Sequence, residues 1–108
     1  MTLTARITAH GGPEVILWVE SDLPPPGPGE VRMRSTAVGL NFIDTYHRRG
    51  IYPVSLPSGL GMEAAGVVEA VGEGVSEFRV GQRVCTFGPL IGAYATARNI
   101  PAAMLFAT

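Results

Sequence analysis

Apolar and polar residues alternate over several short stretches of this chain, a pattern that predicts strands with one buried face. The stretches that predict strands span residues 3–9, 15–20, 30–38, 63–71, 82–87 and 93–98. A Gly-Gly-Pro turn at 11–13 separates the first two. The proline-rich segment 22–29 predicts a loop at the edge of the domain, because proline has no backbone N–H and a fixed φ.

The predicted strand at 30–38 has a clear alternation. Val31, Met33 and Ala37 lie on one side of it, and two arginines and a threonine lie on the other. Successive side chains of a strand point to opposite faces of the sheet. We therefore expect these three apolar residues to face the core.

One helix is predicted, from Asn41 to Arg49. Asn41 is a favourable N-cap residue, and Asp44 follows three residues later, which is a variant of the capping box. The last turn is basic, and positive charge is favourable at the C-terminal end of a helix. Gly50 then follows, at a position where helices often end in left-handed backbone.

Many short strands, glycine turns and one helix predict a mainly β fold, a partly open β-barrel. With 108 residues the chain has the length of a single domain. Apolar residues make up 46% of the sequence and charged residues 16%, so a packed core is expected rather than disorder.

Charge and composition exclude several classes of partner. The net charge of −1 offers no basic surface to nucleic acid or to an anionic membrane, so neither is expected as a partner. No apolar run approaches the roughly 20 residues that a membrane-spanning helix needs. The N-terminus lacks the pattern of a signal peptide, and Cys85 is the single cysteine, so we expect a cytoplasmic protein.

Residues 59–64, Gly-Leu-Gly-Met-Glu-Ala, match the G-x-G-x-x-A pattern of dinucleotide-binding proteins. That pattern binds pyrophosphate only when a strand precedes it and a helix follows it. Here a proline-containing loop precedes it and a β-favouring segment follows. We therefore interpret residues 59–64 as a turn that enters a strand.

Several segments together carry a resemblance to a known family. They are HGGPEV at 10–15, GLNFIDTY at 39–46, GIYP at 50–53, PSGLGMEAAG at 57–66, VGQRV at 80–84 and GAYA at 92–95. In order and spacing they resemble quinone oxidoreductases of the zinc-free, zeta-crystallin-like branch of the medium-chain dehydrogenase/reductases. The resemblance extends to about Pro101. It implies that residues 1–108 are the N-terminal, GroES-like part of a catalytic domain.

The resemblance also implies a site without zinc. In zinc-dependent relatives a cysteine stands at the position of Asn41 and a histidine at the position of Met62. An amide and a thioether are poor ligands for zinc, and His10 and His47 are isolated in the sequence. A quinone needs less help from a Lewis acid than a simple carbonyl does, because the anion formed on its reduction is already delocalised.

The cofactor implied by the resemblance is NADPH, and the implied partner is a small quinone-like acceptor. Positions matching Asn41, Tyr46 and Tyr52 line the nicotinamide and acceptor pocket in the family, and Asn41 and Tyr46 are expected to contact the cofactor. Asn41 would position the nicotinamide by hydrogen bonding, and the tyrosines would stack on a flat acceptor. Asp44 and Glu63 match acidic positions beside the metal site of zinc relatives, and we expect them to support Asn41.

Most of these residues also have a simpler structural explanation. Asn41 and Asp44 fit a helix cap alone, Tyr46 fits a half-buried core position, and Glu63 fits the surface of a strand. Tyr52 is predicted to lie in an exposed loop, where binding residues are common.

Family members continue into a doubly wound domain that binds NADPH, and these 108 residues stop before such a domain. We therefore expect the isolated chain to be inactive, as a truncated enzyme, and to self-associate through apolar surface left uncovered. Two alternatives stay open. One is a non-catalytic GroES-like interaction module, and the other is part of an enone or alkene reductase.

Overall fold

A computed structural model describes residues 1–88 and 90–108. The strands are β1 (Thr2–Ile7), β2 (Leu17–Ser21), β3 (Glu30–Gly39), β4 (Ser58–Gly59), β5 (Glu63–Val71), β6 (Arg83–Phe87), β7 (Ala97–Pro101) and β8 (Phe106–Ala107). The α-helix is α1 (Phe42–Arg49), and short 3₁₀ turns occupy Pro13–Val15 and Ala102–Met104. The predicted mainly β fold with one helix is confirmed within the described residues.

The strands form two antiparallel sheets. The smaller sheet has the order β2-β1-β4, and the larger has the order β7-β3-β5-β6-β8. An isolated bridge between Thr4 and Ala95 connects β1 to the segment that leads into β7. The segment before β5 meets the segment before β7 near this bridge, where Tyr94 N–H donates to the Leu60 carbonyl at 2.8 Å.

The core lies on one face of the larger sheet. Its completely buried side chains include Val31 and Met33 of β3, Val68 of β5, Val84 of β6 and Ile100 of β7. Each such side chain contributes about 1.5–3 kcal/mol through removal of apolar surface from water. The larger sheet is therefore the stable framework from which the loops and the helix extend.

The predicted alternation of β3 is correct at Val31 and Met33 but wrong at Ala37, which is exposed. The pairing of β3 with β5 shifts register between Ser35 and Ala37. A β-bulge inserts one extra residue, and the side chains beyond it change faces. Simple alternation cannot indicate where such a bulge lies.

The last predicted strand, 93–98, is also misplaced, since β7 begins at Ala97. Residues 93–96 cross from one sheet to the other instead of extending β7. Ala5 N–H donates to the Tyr94 carbonyl at 2.8 Å, and Ser35 N–H donates to the Thr96 carbonyl at 2.9 Å. The predicted second strand likewise begins later, at Leu17, because Pro13–Val15 forms a 3₁₀ turn.

The prediction for the helix is accurate. Asn41 is the N-cap residue, with extended backbone at φ −129° and ψ 153°, and α1 ends at Arg49. Gly50 has a φ of 82°, the left-handed conformation that ends many helices. The helix therefore begins directly where β3 ends, and this places Asn41 beside the edge of the larger sheet.

Candidate functional site

Asn41 lies between the end of β3 and the first turn of α1. Its side-chain nitrogen Nδ2 donates a hydrogen bond to Glu63 Oε2 at 3.2 Å. Glu63 is the first residue of β5, is exposed, and lies directly against Gly39, where a Cβ would overlap its side chain. The structure therefore brings together two of the residues that the sequence singled out, Asn41 and Glu63.

Asp44 supports Asn41 from the opposite side. It is 3% exposed, and its Oδ2 atom accepts a hydrogen bond from the Asn41 backbone N–H at 3.0 Å. This is the carboxylate half of the capping box that the sequence predicts. The Tyr94 hydroxyl donates to the same Oδ2 atom. Asn41 is thus hydrogen-bonded through its backbone to Asp44 and through its side chain to Glu63.

Tyr94 is the residue of this cluster that sequence reasoning missed. Burial raises the pKa of the Tyr94 hydroxyl, and the hydrogen bond to Asp44 and the charge of Asp44 raise it further. The hydroxyl therefore stays protonated and acts as a donor. The signal in the sequence was a tyrosine in the GAYA segment at 92–95, which carried the resemblance but suggested no contact with Asp44.

Tyr46 and Tyr52 form a second group around the C-terminal part of α1. Their ring centroids are 5.3 Å apart and the rings meet edge to face at 75°. The His47 ring lies 6.3 Å from that of Tyr52. Tyr52 is 48% exposed, so this pair offers an aromatic surface to solvent. Among residues 1–88 and 90–108, no side-chain hydrogen bond or ring contact joins this pair to Asn41.

A shallow cleft of about 400 Å³ lies beside Glu63. We call it the Glu63 cleft, and its lining includes Gly39, Glu63, Cys85, Thr86 and Phe87. It runs along the outer ends of three neighbouring strands, β3, β5 and β6. Cys85 is half-buried there as a free thiol. The cleft includes the Glu63 carboxylate, to which Asn41 donates its side-chain hydrogen bond.

The side chains at this position do not fit a zinc ion. Asn41 offers an amide, and Met62, which is half-buried, offers a thioether; both are poor zinc ligands. In the described part of the chain, no three His, Cys, Asp or Glu side chains come close enough together to hold a metal ion. The donor set at this position is therefore unsuited to zinc chemistry.

The glycine pattern at 59–64 has the structure of a turn, as interpreted from the sequence. Gly59 ends β4, Gly61 has a φ of 97°, and β5 begins at Glu63. A strand rather than a helix follows the glycines, so no helix N-terminus is available there for pyrophosphate. Among the described residues there is also no helix of the length and hydropathy that crossing a membrane requires.

Comparison with known proteins assigns the chain to a family. Residues 27–108 match the alcohol dehydrogenase GroES-like domain. The chain belongs to this family.

Individual relatives cover almost the whole GroES-like chain. It is similar to a quinone oxidoreductase of Pseudomonas aeruginosa, with 55% identity over 88% of the chain and 30% of that relative. It is also similar to a 2-haloacrylate reductase of a Burkholderia species, with 50% identity over 97% of the chain and 33% of that relative. The predicted resemblance to the N-terminal part of quinone oxidoreductases is confirmed.

A solved structure shows the same fold. The crystal structure of Escherichia coli quinone oxidoreductase complexed with NADPH matches 99% of the chain with a TM-score of 0.92 and 44% identity. The match covers 33% of that protein. The chain therefore spans about a third of the length of the relatives it matches.

Proposed function

We propose that this GroES-like chain forms the acceptor-facing part of an oxidoreductase that transfers reducing equivalents from NADPH to a quinone or a similar electron-poor acceptor without zinc. The observation that carries the proposal is the pair of hydrogen bonds that orient Asn41. Its backbone is tied to Asp44 and its side chain to Glu63, at the position where zinc-dependent relatives have a metal-binding cysteine. An amide held in one direction is suited to orienting a planar group by hydrogen bonding.

The chemistry is consistent with this donor set. Quinones accept electrons into a conjugated system, so the product anion needs little electrostatic help from the protein. When bound, the reduced nicotinamide would supply the reducing equivalents. The residues of this chain would bind and orient: Asn41 would direct the nicotinamide and acceptor, and Glu63 and Asp44 would hold Asn41. The similarity to a quinone oxidoreductase complexed with NADPH supports this choice of cofactor.

Tyr46 and Tyr52 would supply the aromatic side of the acceptor site. Their edge-to-face arrangement leaves the half-exposed Tyr52 ring available for stacking on a flat acceptor. A non-catalytic GroES-like module would have no need for this pair or for the Asn41 cluster, so both groups favour the enzyme. The formal net charge of −1 supports a small-molecule partner over nucleic acid or an anionic membrane. A cytoplasmic location is a separate part of the same proposal.

A second acceptor class is favoured by one specific observation. The 2-haloacrylate reductase of Burkholderia is 50% identical over 97% of the chain, and the 2-haloacrylate in its name is an activated alkene rather than a quinone. Both acceptors take up electrons into a conjugated, electron-poor system. The same Asn41 cluster would therefore serve either reaction, and the two proposals differ only in acceptor.

A chimaera tests the proposal and separates the acceptors. The 108 residues would replace the matching third of the P. aeruginosa quinone oxidoreductase, and NADPH oxidation would be followed with duroquinone or with 2-chloroacrylate. We expect turnover with the quinone, and a loss of about ten-fold in kcat/KM in Asn41→Ala for a hydrogen bond of ordinary strength. Thr36→Val, which removes a hydroxyl bonded to the Ala65 carbonyl, is the control and should keep its activity.

Three outcomes decide among the proposals. Turnover with 2-chloroacrylate alone would replace the quinone by the alkene. An Asn41→Ala chimaera as active as the parent would remove Asn41 from the site. The isolated 108-residue chain is expected to show no NADPH oxidation above the buffer background, and turnover by it would contradict that expectation.

A further inference from the structure

Tyr94 and Asn41 share one acceptor atom. The Tyr94 hydroxyl and the Asn41 backbone N–H both donate to Oδ2 of Asp44, whose side chain is almost completely buried. Tyr94 lies 50 residues after Asp44 in the sequence. This contact therefore ties the start of α1 to the segment that crosses between the two sheets.

Tyr94 itself is fixed by its surroundings. Its backbone N–H donates to the Leu60 carbonyl at 2.8 Å, and its own carbonyl accepts from Ala5 N–H at 2.8 Å. Its ring lies so close to Gly61 that a Cβ there would overlap it. The ring that carries the hydroxyl therefore has little freedom to move. A residue can position another only if its own side chain is held in this way.

We propose that Tyr94 is a positioning residue whose hydroxyl, acting through Asp44, fixes the direction in which Asn41 presents its side-chain amide. Only the role of Asn41 toward nicotinamide and acceptor depends on the proposed function. The positioning of Asn41 by Tyr94 depends on contacts within this chain alone.

The hydrogen bond from Tyr94 to Asp44 is important because the Asp44 carboxylate is buried. Its second oxygen, Oδ1, is buried and has no hydrogen-bond partner among the described residues. The two donors on Oδ2 are therefore its main compensation for burial, and a buried carboxylate that loses a donor is strongly destabilised. Without the hydroxyl, the carboxylate would turn or attract water, and its bond to Asn41 N–H would weaken with it.

The test is Tyr94→Phe in the ¹⁵N-labelled 108-residue chain, because phenylalanine keeps the ring against Gly61 and removes only the hydroxyl. We expect hydrogen exchange of the Asn41 backbone amide to accelerate on the order of 10- to 100-fold, the range for a hydrogen bond to a charged group. The Asn41 side-chain NH₂ resonances should shift in the same variant. The Val68 amide of β5, bonded at 2.9 Å to the carbonyl of Gln82 just before β6, reports global opening.

The control is again Thr36→Val, which removes a hydroxyl hydrogen bond outside the cluster and should leave Asn41 exchange unchanged. Equal acceleration at Asn41 and Val68 in Tyr94→Phe would mean a purely structural role and would overturn the proposal. Unchanged exchange and unchanged side-chain resonances at Asn41 would overturn it as well.

A double-mutant cycle tests the route through Asp44. In the Asp44→Asn background, Tyr94→Phe should add little further change at Asn41, because the shared acceptor has already been altered. A full additional effect would show that Tyr94 reaches Asn41 by another route, against the proposal. None of these measurements uses NADPH or an acceptor, so their outcome is independent of the activity of the chimaera.

Discussion

The side-chain amide of Asn41 donates a hydrogen bond to the Glu63 carboxylate at 3.2 Å, 22 residues further along the chain. Asn41 precedes α1 and Glu63 opens β5, so the bond connects the start of the helix to the larger sheet. Glu63 is exposed, and a hydrogen bond at such a site contributes about 1 kcal/mol or less to stability. The hydrogen bond therefore sets the direction of the Asn41 side-chain amide and adds little to the stability of the fold.

Gly39→Ala should break the hydrogen bond between Asn41 and Glu63, although neither of these two residues is itself substituted. A Cβ at Gly39 would overlap the Glu63 side chain, and Gly39 has no positive φ that would exclude alanine. Glu63 is free to rotate toward solvent, so we expect a loss of less than about 1 kcal/mol in the free energy of unfolding. The Asn41 side-chain NH₂ resonances should move toward those of a solvated amide. Resonances identical to those of the parent chain would contradict the prediction.

Alkaline pH should destabilise the chain through Tyr94. Its pKa is raised above 10.0 in the folded state, chiefly by burial, while in the unfolded chain it returns to about that value. Above pH 10 the unfolded state then binds fewer protons than the folded state, so the free energy of unfolding falls as pH rises. Below pH 10 this contribution is fully present and constant.

Urea unfolding of the parent and of Tyr94→Phe between pH 8 and pH 11 measures this effect. Phenylalanine cannot ionise, so the variant should lose less stability across the alkaline range than the parent does. Parallel stability curves for the two proteins would show that Tyr94 does not carry the alkaline loss.

The elements that depend on local pattern could be predicted from the sequence, and those that depend on distant contacts could not. The bounds of α1 followed from Asn41 and Gly50, because capping chemistry is local. The span of β5, Glu63–Val71, followed from its three valines and from the glycine turns on either side of it. The exposure of Ala37 depended on a bulge against β5, which no local pattern indicates.

The same distinction applies to the site. Asn41, Asp44 and Glu63 could be chosen because the family resemblance marked their positions, and the structure places them in one hydrogen-bonded cluster. Tyr94 joins that cluster only because the segment 93–96 crosses between the sheets instead of continuing as the strand that the sequence predicts. A residue whose role depends on a crossing of this kind is visible only in three dimensions.

Self-association should occur through the apolar residues beside Asn41. Leu40 is 82% exposed and Phe42 is 85% exposed, and they flank the start of α1. Large apolar side chains with this exposure favour burial against another surface. We expect light scattering to detect dimers or larger species of the 108-residue chain, and Leu40→Ser with Phe42→Ser to shift them toward monomer. Val80→Ser, at a separate residue that is 63% exposed, is the matched control. A parent chain that stays monomeric at high concentration would contradict the prediction.

Two glycines should differ sharply in their tolerance of alanine. Gly66 in β5 is buried opposite the bulged part of β3, where a Cβ would overlap the backbone carbonyl of Arg34. The strands would have to separate, so Gly66→Ala should cost about 3 kcal/mol in the free energy of unfolding. Gly74 has a φ of 83° but open space around it, so alanine there meets only backbone strain of about 1 kcal/mol. Urea unfolding measures both, and equal losses would mean that close approach of the strands is not what requires glycine at position 66.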